Sequence, residues 1–258
     1  MAFYRTTGII LRKINLQDHH KIATILTRER GKVKGVCRGV RKIKSKLAPH
    51  LEVGVLSELI LVEGKKDLDT ITAAKSVEVF KNIRADLKKA SFLYYLCEIV
   101  DLLTPDQHQD EAVFNLMVEA LTHLNKADKK DKELSLLLSF KLKLLNLMGY
   151  LPEFYVCLSC GQAVTEKEHR FSYSRGGLVC LNCPKESQEV LLNSSEVKIM
   201  RFFSRDSFDQ INALNLASYN LERIKTSLDY YFQYLFSKKI KSTGFLQDTN
   251  PKTQSLKG

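Results

Sequence analysis

No run of about 18 apolar residues occurs in the 258-residue chain, which excludes a transmembrane helix. The first residues, MAFYRTTGIILRKINL, have neither the longer apolar core nor the small-residue cleavage site of a signal peptide, so a cytoplasmic protein is expected. A glycine-rich phosphate loop, a paired-acid motif and a G-x-S-x-G nucleophile elbow are missing as well, so nothing positive argues for an enzyme. There is no internal repeat and no basic amphipathic helix, and the second absence makes a lipid surface the poorer partner for the chain's excess cations.

Acidic residues are scarce in one place. Residues 1–50 hold 13 Lys/Arg against 2 Asp/Glu, whereas residues 51–80 hold 3 against 6 and the remainder 24 against 21. The net charge of +11 therefore belongs to the N-terminal part. Within it, RERGKVKGVCRGVRKIKSK carries Arg28, Arg30, Lys32, Lys34, Arg38, Arg41, Lys42, Lys44 and Lys46 against the single acid Glu29. The first half alternates as a strand does: Lys32, Lys34 and Arg38 share one face with Val36, and Val33, Gly35, Cys37 and Gly39 share the other. This places the apolar set in a core and the cations outside. A row of cations repels itself, and a polyanion is the usual reason for one; these nine residues are the candidate nucleic-acid track.

Five strand-like runs rich in Ile, Val, Leu and Thr precede residue 80: Tyr4–Lys13, Lys21–Thr27, Lys32–Val40, Val53–Val62 and Leu68–Ala74. Five short strands in about 80 residues suit a small closed barrel, and strand count with charge favours an OB-fold, whose groove commonly binds single strands. His19 and His20, adjacent in a polar turn with no third ligand, read as surface histidines.

From Asn82 the period changes to 3.6. Leu87–Leu103 forms a wide apolar stripe ended by Thr104-Pro105, a second helix is expected over Glu111–Leu124, and Lys126–Glu133 reads as a charged linker. Leu134–Met148 is apolar almost all round, closes at Gly149, and is expected at the centre of a helical bundle. Ser194-Ser195-Glu196 opens a further helix, and Tyr219–Ser237 is the last. Cys97 reads as a buried thiol.

Cys157-x2-Cys160 and, after 19 residues, Cys180-x2-Cys183 are the most specific local signal. Two such knuckles complete a four-thiolate tetrahedral site, and four thiolates leave no open position, so one structural Zn2+ per chain is expected. A thioredoxin-like site lacks its βαβ context, a disulfide framework does not suit the expected compartment, and a zinc deaminase would need Pro where Val179 stands. The expected architecture is α+β. An OB-fold barrel occupies 1–80 and a helical domain 81–247, the helical domain carrying a zinc-knuckle insertion at 153–190; a disordered tail occupies 248–258.

These parts resemble the RecO family of bacterial recombination mediators over nearly the whole chain. The resemblance rests on Thr27-Arg28-Glu29-Arg30-Gly31-Lys32, Gly35, Arg38-Gly39-Val40-Arg41 and Lys44-Ser45-Lys46. It continues in Phe140, Leu144-Leu145, Met148-Gly149-Tyr150, Pro152 and Cys157, then in the cysteine pairs, Gly176-Gly177, Lys241-Ser242 and Phe245-Leu246. Where the family often has a Gly-Glu-x-Asp-like turn, this chain has Leu16-Gln17-Asp18-His19-His20. The resemblance implies binding of single- and double-stranded DNA, annealing of complementary strands, a nucleoid-associated cytoplasmic protein, and partnership with RecR and single-stranded DNA-binding protein in loading RecA at gaps. Residues alone leave a second reading open, an RNA-binding zinc-ribbon factor using the same basic barrel.

Overall fold

The structure is a computed structural model that describes residues 2–16, 19–42, 44–65, 67–127, 130–216, 220–237, 240 and 242. The chain divides into two compact units. The first is Met1–Lys126, to which Ile240 and Ser242 also belong; the second is Ala127–Lys239. The expected disordered tail lies outside the described residues.

The first unit begins with strands β1 (Phe3–Leu16), β2 (His20–Thr27), β3 (Gly31–Cys37), β4 (Leu56–Val62) and β5 (Leu68–Glu78). They close into a barrel in the order β1-β2-β3-β5-β4. Neighbours run antiparallel except β3 and β5, which pair in parallel from Lys34 opposite Leu68. The last pairing, β1 with β4, removes both sheet edges. This is the OB-fold expected from the strand count. Ile10, Ala23, Ile25, Val33, Cys37, Leu59, Leu61 and Ile71 fill its interior, and Val40 and Leu51 belong to the same buried cluster.

Several boundaries differ from the sequence reading. β3 ends at Cys37 rather than Val40, because Gly39 takes a left-handed conformation (φ 65°) and turns the chain. β4 starts at Leu56 rather than Val53: a single 3-10 turn, Ala48–Leu51, precedes it, and Gly54 turns at φ 78°. β1 and β5 run on past their expected ends, to Leu16 and Glu78.

Three helices follow in the same unit: α1 (Lys81–Ala85), α2 (Leu87–Leu103) and α3 (Glu111–Lys126). Asp86 caps α2 by accepting from the backbone N–H groups of Lys88 and Lys89. After α2 the chain lays itself along β3. Asp106 makes a parallel bridge with Lys32, and the Gln107 N–H donates to the Lys32 carbonyl at 2.9 Å. Gly31 permits this approach: it sits at φ 64°, and a Cβ there would lie 2.0 Å from the His108 carbonyl oxygen.

The second unit holds α4 (Lys130–Leu147), a three-stranded sheet of β6 (His169–Ser172), β7 (Gly177–Cys180) and β8 (Glu189–Leu192), and helices α5 (Ser194–Arg205), α6 (Phe208–Ala213) and α7 (Leu221–Phe236). Much of the expected charged linker is the first turn of α4. α4 is the centre of the bundle, packed by α5, α6 and α7. Leu136, Leu137, Leu138, Phe140, Leu142, Leu144 and Leu145 are all buried on it. α5 opens on a capping box between Asn193 and Glu196, and α6, which the sequence reading missed, on one between Ser207 and Gln210. No helix among the described residues is long and apolar enough to cross a membrane.

Candidate nucleic-acid interface and candidate metal centre

Seven of the nine cations of the candidate track fall into two groups, separated by the length of β3. A strand of its seven residues spans roughly 20 Å. Arg28 and Arg30 lie in the β2–β3 turn; Arg38, Arg41, Lys42, Lys44 and Lys46 lie beyond the other end of the strand. Lys32 and Lys34 stand between.

The first group and the strand cations are paired with acids. Arg28 lies over the Phe114 ring, 5.1 Å from its centroid, with Glu111 at 3.9 Å. Arg30 meets Glu63 at 2.7 Å and stacks on Tyr4. Lys34 meets Asp106 at 2.5 Å. Lys32 does not face solvent as the alternation implied. Its side chain is 8% exposed, and its ammonium donates to the Asp101 carbonyl at 2.6 Å with the Asp101 and Asp106 carboxylates at 3.4 and 3.3 Å. The alternation placed it correctly on the outside of the barrel wall, but α2 and the segment after it cover that part of the wall. The signal for this cover lies about 70 residues away, in Asp101 and Asp106.

The second group is different. Arg38, Arg41, Lys42, Lys44 and Lys46 are all exposed, and among the described residues none of them makes an ion pair. Described residues on both sides of Ile43 are tied down. Val40 and Leu47 anchor the loop on the barrel core. The Lys42 N–H closes a turn onto the Gly39 carbonyl at 3.1 Å, and the Ser45 N–H closes the next onto the Lys42 carbonyl at 2.9 Å. His19, in the β1–β2 connection, and His20, the first residue of β2, brace the loop's start. His20 Nδ1 accepts from the Gly39 N–H at 3.0 Å, and the His19 carbonyl accepts from the Arg41 N–H at 3.3 Å. The histidines read as plain surface residues thus position the basic loop. Ile43 lies outside the described residues.

In the second unit the structure brings Cys157, Cys160, Cys180 and Cys183 together, all four Sγ atoms within 4.8 Å of one another. Cys157 and Cys183 are 3.9 Å apart, Cys160 and Cys180 3.8 Å, and Cys180 and Cys183 3.4 Å. Metal–sulfur bonds of about 2.3 Å in a tetrahedron require sulfurs about 3.8 Å apart, so the donor set fits a metal ion. Gly161, at φ 72°, turns the first knuckle. Backbone N–H groups of Ser159 and Cys180 donate to the Cys157 sulfur at 3.4 and 3.3 Å. Burial raises the Cys157 pKa, but amides of Cys180, Cys160 and Ser159 outweigh it and bring the thiol down to about 6. Cys183 goes the other way: the Ser159 hydroxyl lowers it, yet bonds shared with Cys180, Cys160 and Cys157, with burial, push it up to about 12. Cys157 is thus held toward the thiolate and Cys183 toward the thiol, and a bound dication would displace the Cys183 proton.

Arg170 supports the second knuckle. It is nearly buried, pairs with the buried Glu189 at 3.5 Å, and donates to the carbonyls of Cys180 and Cys183. Phe171 seats the insertion on the bundle between Phe154, Tyr173 and Tyr231, and the Arg201 guanidinium of α5 donates to the Phe154 carbonyl at 2.9 Å.

Residues 1–80 match the family described as "Recombination protein O N terminal", and residues 84–244 match "Recombination protein O C terminal". The chain is 32% identical over 249 residues to the DNA repair protein RecO of Symbiobacterium thermophilum, covering 95% of this chain and 97% of that one. It is 28% identical over 239 residues to the DNA repair protein RecO of Dehalococcoides mccartyi, covering 93% of each. To the DNA repair protein RecO of Bacillus pumilus it is 29% identical over 241 residues, covering 91% of this chain and 92% of that one. A closed barrel, a four-cysteine cluster and matches that run the length of the chain agree, and the chain belongs to the recombination protein O family.

Proposed function

We propose that this protein is a DNA-binding mediator of recombinational repair. It binds single- and double-stranded DNA, anneals complementary strands without nucleotide hydrolysis, and with RecR and single-stranded DNA-binding protein helps RecA load at gaps. The observation that carries the DNA-binding part is the loop after β3, where five exposed cations pair with no acid among the described residues. An ion-paired cation must give up its partner to take a phosphate, whereas these five need not. Arg38, Arg41, Lys42, Lys44 and Lys46 are therefore the primary contacts. Arg28, Arg30 and Lys34 extend the track where their acids release them, and Lys32 acts by holding the post-α2 segment to the barrel. The partners rest on family membership.

Zinc is the metal that suits Cys157, Cys160, Cys180 and Cys183, because a closed four-thiolate set matches its structural sites. When bound it supplies cross-linking rather than chemistry; the chain's own Phe171, Arg170 and Arg201 seat the insertion.

Annealing of complementary oligonucleotides followed by fluorescence quenching tests the reading. The purified protein should accelerate annealing with no ATP present. A rate equal to the protein-free control at low salt would contradict it. A filter-binding competition between single-stranded DNA and RNA of the same sequence separates DNA repair from RNA handling, with DNA expected to win.

A further inference from the structure

Arg30 differs from the other exposed cations in how it is held. Its guanidinium lies 3.8 Å from the centroid of the Tyr4 ring, and Glu63 binds its edge at 2.7 Å. Tyr4 is fixed in turn. Its ring packs on the barrel core, and its hydroxyl donates to Asp69 Oδ2 at 2.5 Å, while Asp69 Oδ1 accepts from the Gly64 N–H at 3.0 Å. The planar group is thus clamped with its inner side on an aromatic ring and its edge on a carboxylate. The side chain stays 46% exposed.

Beside this stack lies a cleft of about 510 Å³, within the range of roughly 300–1,000 Å³ that small-ligand sites occupy. Glu29, Glu63, Asp69, Gln107 and Gln109 line it along with Tyr4 and Arg30. While Glu63 holds Arg30 and matches its charge, the carboxylates of the cleft repel a phosphate. What remains is a flat cation–aromatic surface next to hydrogen-bond acceptors. Bases stack on guanidinium planes and on aromatic rings, and ionised carboxylates accept from amino hydrogens on base edges. Gln107 is held in place by its backbone bond to Lys32, and its exposed amide can both donate and accept.

We propose that the Tyr4–Arg30 stack is a platform for one base of a single strand, the edge of that base turned into the cleft, so that bases bearing amino groups are preferred over thymine. The platform rests on the DNA-binding reading and adds a base contact to the phosphate contacts of the loop after β3. It also gives the protein a grip on single strands that duplexes lack, because paired bases do not offer their faces.

Fluorescence anisotropy on the full-length protein tests it, using oligo(dC), oligo(dT) and an abasic strand of equal length and phosphate count. Wild type should bind oligo(dC) on the order of tenfold more tightly than the abasic strand, as one stacked base would give, and more tightly than oligo(dT). In Arg30→Lys, which keeps the charge and removes the plane, the base-over-abasic ratio should fall towards one. A wild type that binds the abasic strand as tightly as oligo(dC), with a steep salt dependence, overturns the platform and leaves the phosphate track standing. An Arg30→Lys variant that keeps the full ratio places the stacking elsewhere and overturns it too. Oligo(dC) binding no tighter than oligo(dT) overturns the edge preference. A wild type that binds none of the three strands fails the DNA-binding reading itself, and the platform with it.

Discussion

The ammonium of Lys34 and the carboxylate of Asp106 meet at 2.5 Å on the outside of the barrel. Asp106 comes from the segment that follows α2, bridged to β3 at Lys32. The hydrogen bond from Lys34, against partial burial and with help from Lys32, holds the Asp106 carboxyl below its ordinary value. A depressed carboxyl contributes stability that is present above its unfolded pKa and lost as pH falls through the folded one, so the pair is fully formed at neutral pH.

Asp106→Asn should therefore release Lys34 for DNA. Single-strand affinity at neutral pH and about 0.1 M salt should rise, with the salt slope steeper by about 0.7, the value of one added phosphate contact on a single strand. Salt titrations of wild type and variant measure it. An affinity that is unchanged or lower would mean that Asp106 does not compete with DNA.

Lys141 and Asp229 offer a test in the second unit. Lys141 is fully buried on α4, 2.5 Å from Asp229 and 4.6 Å from the centroid of the Phe232 ring. Burial pulls the Lys141 ammonium below its ordinary range. Burial raises Asp229, but Lys141 and Lys225 outweigh it and leave the carboxyl lowered. Asp229→Ala strips a buried ammonium of its carboxylate and should cost about 3–5 kcal/mol. The sign for Asp229 follows from its depressed value: its contribution is present above about pH 4 and lost as pH falls through the folded pKa. Urea denaturation at pH 7 and again near pH 3 should show the gap between wild type and variant narrowing in acid. A gap that does not change would mean that Asp229 is not the titrating partner.

The metal centre predicts coupled loss. Cys157→Ser removes the thiol that backbone amides hold down to about 6, and the protein should lose its metal and melt at a lower temperature. Loading the metal-stripped wild type should release protons, and affinity should weaken as pH falls, because the thiols must deprotonate to bind. Metal analysis with calorimetry checks both. Well under one metal ion per chain in carefully purified wild type would contradict the centre.

Much of this was legible in the sequence because it is local. Runs rich in Ile, Val, Leu and Thr found all five barrel strands, period 3.6 found α2, α3, α4 and α7, and C-x2-C spacing found the cysteine cluster. Illegible parts were those set by distant partners or by short signals. Lys32 alternates outward like any strand cation, and only Asp101 and Asp106, brought in by the chain after α2, bury it. His20 carries no motif, and its role arises from the Gly39 N–H, which the left-handed turn presents to it. The six-residue α6 is too short for a periodic pattern, and its readable mark was the Ser207–Gln210 capping box.

The salt dependence of single-strand binding by a variant with Arg41, Lys42 and Lys44 all changed to Glu is the most direct test of the basic loop. These side chains are exposed and unpaired among the described residues, so folding should be nearly unaffected, which a thermal melt verifies. Binding should weaken for all sequences alike, and the slope of log affinity against log salt should flatten by roughly two units, three lost contacts at about 0.7 each. A folded variant that binds as tightly as wild type at about 0.1 M salt, with the same slope, would contradict the assignment of the DNA track to the loop after β3.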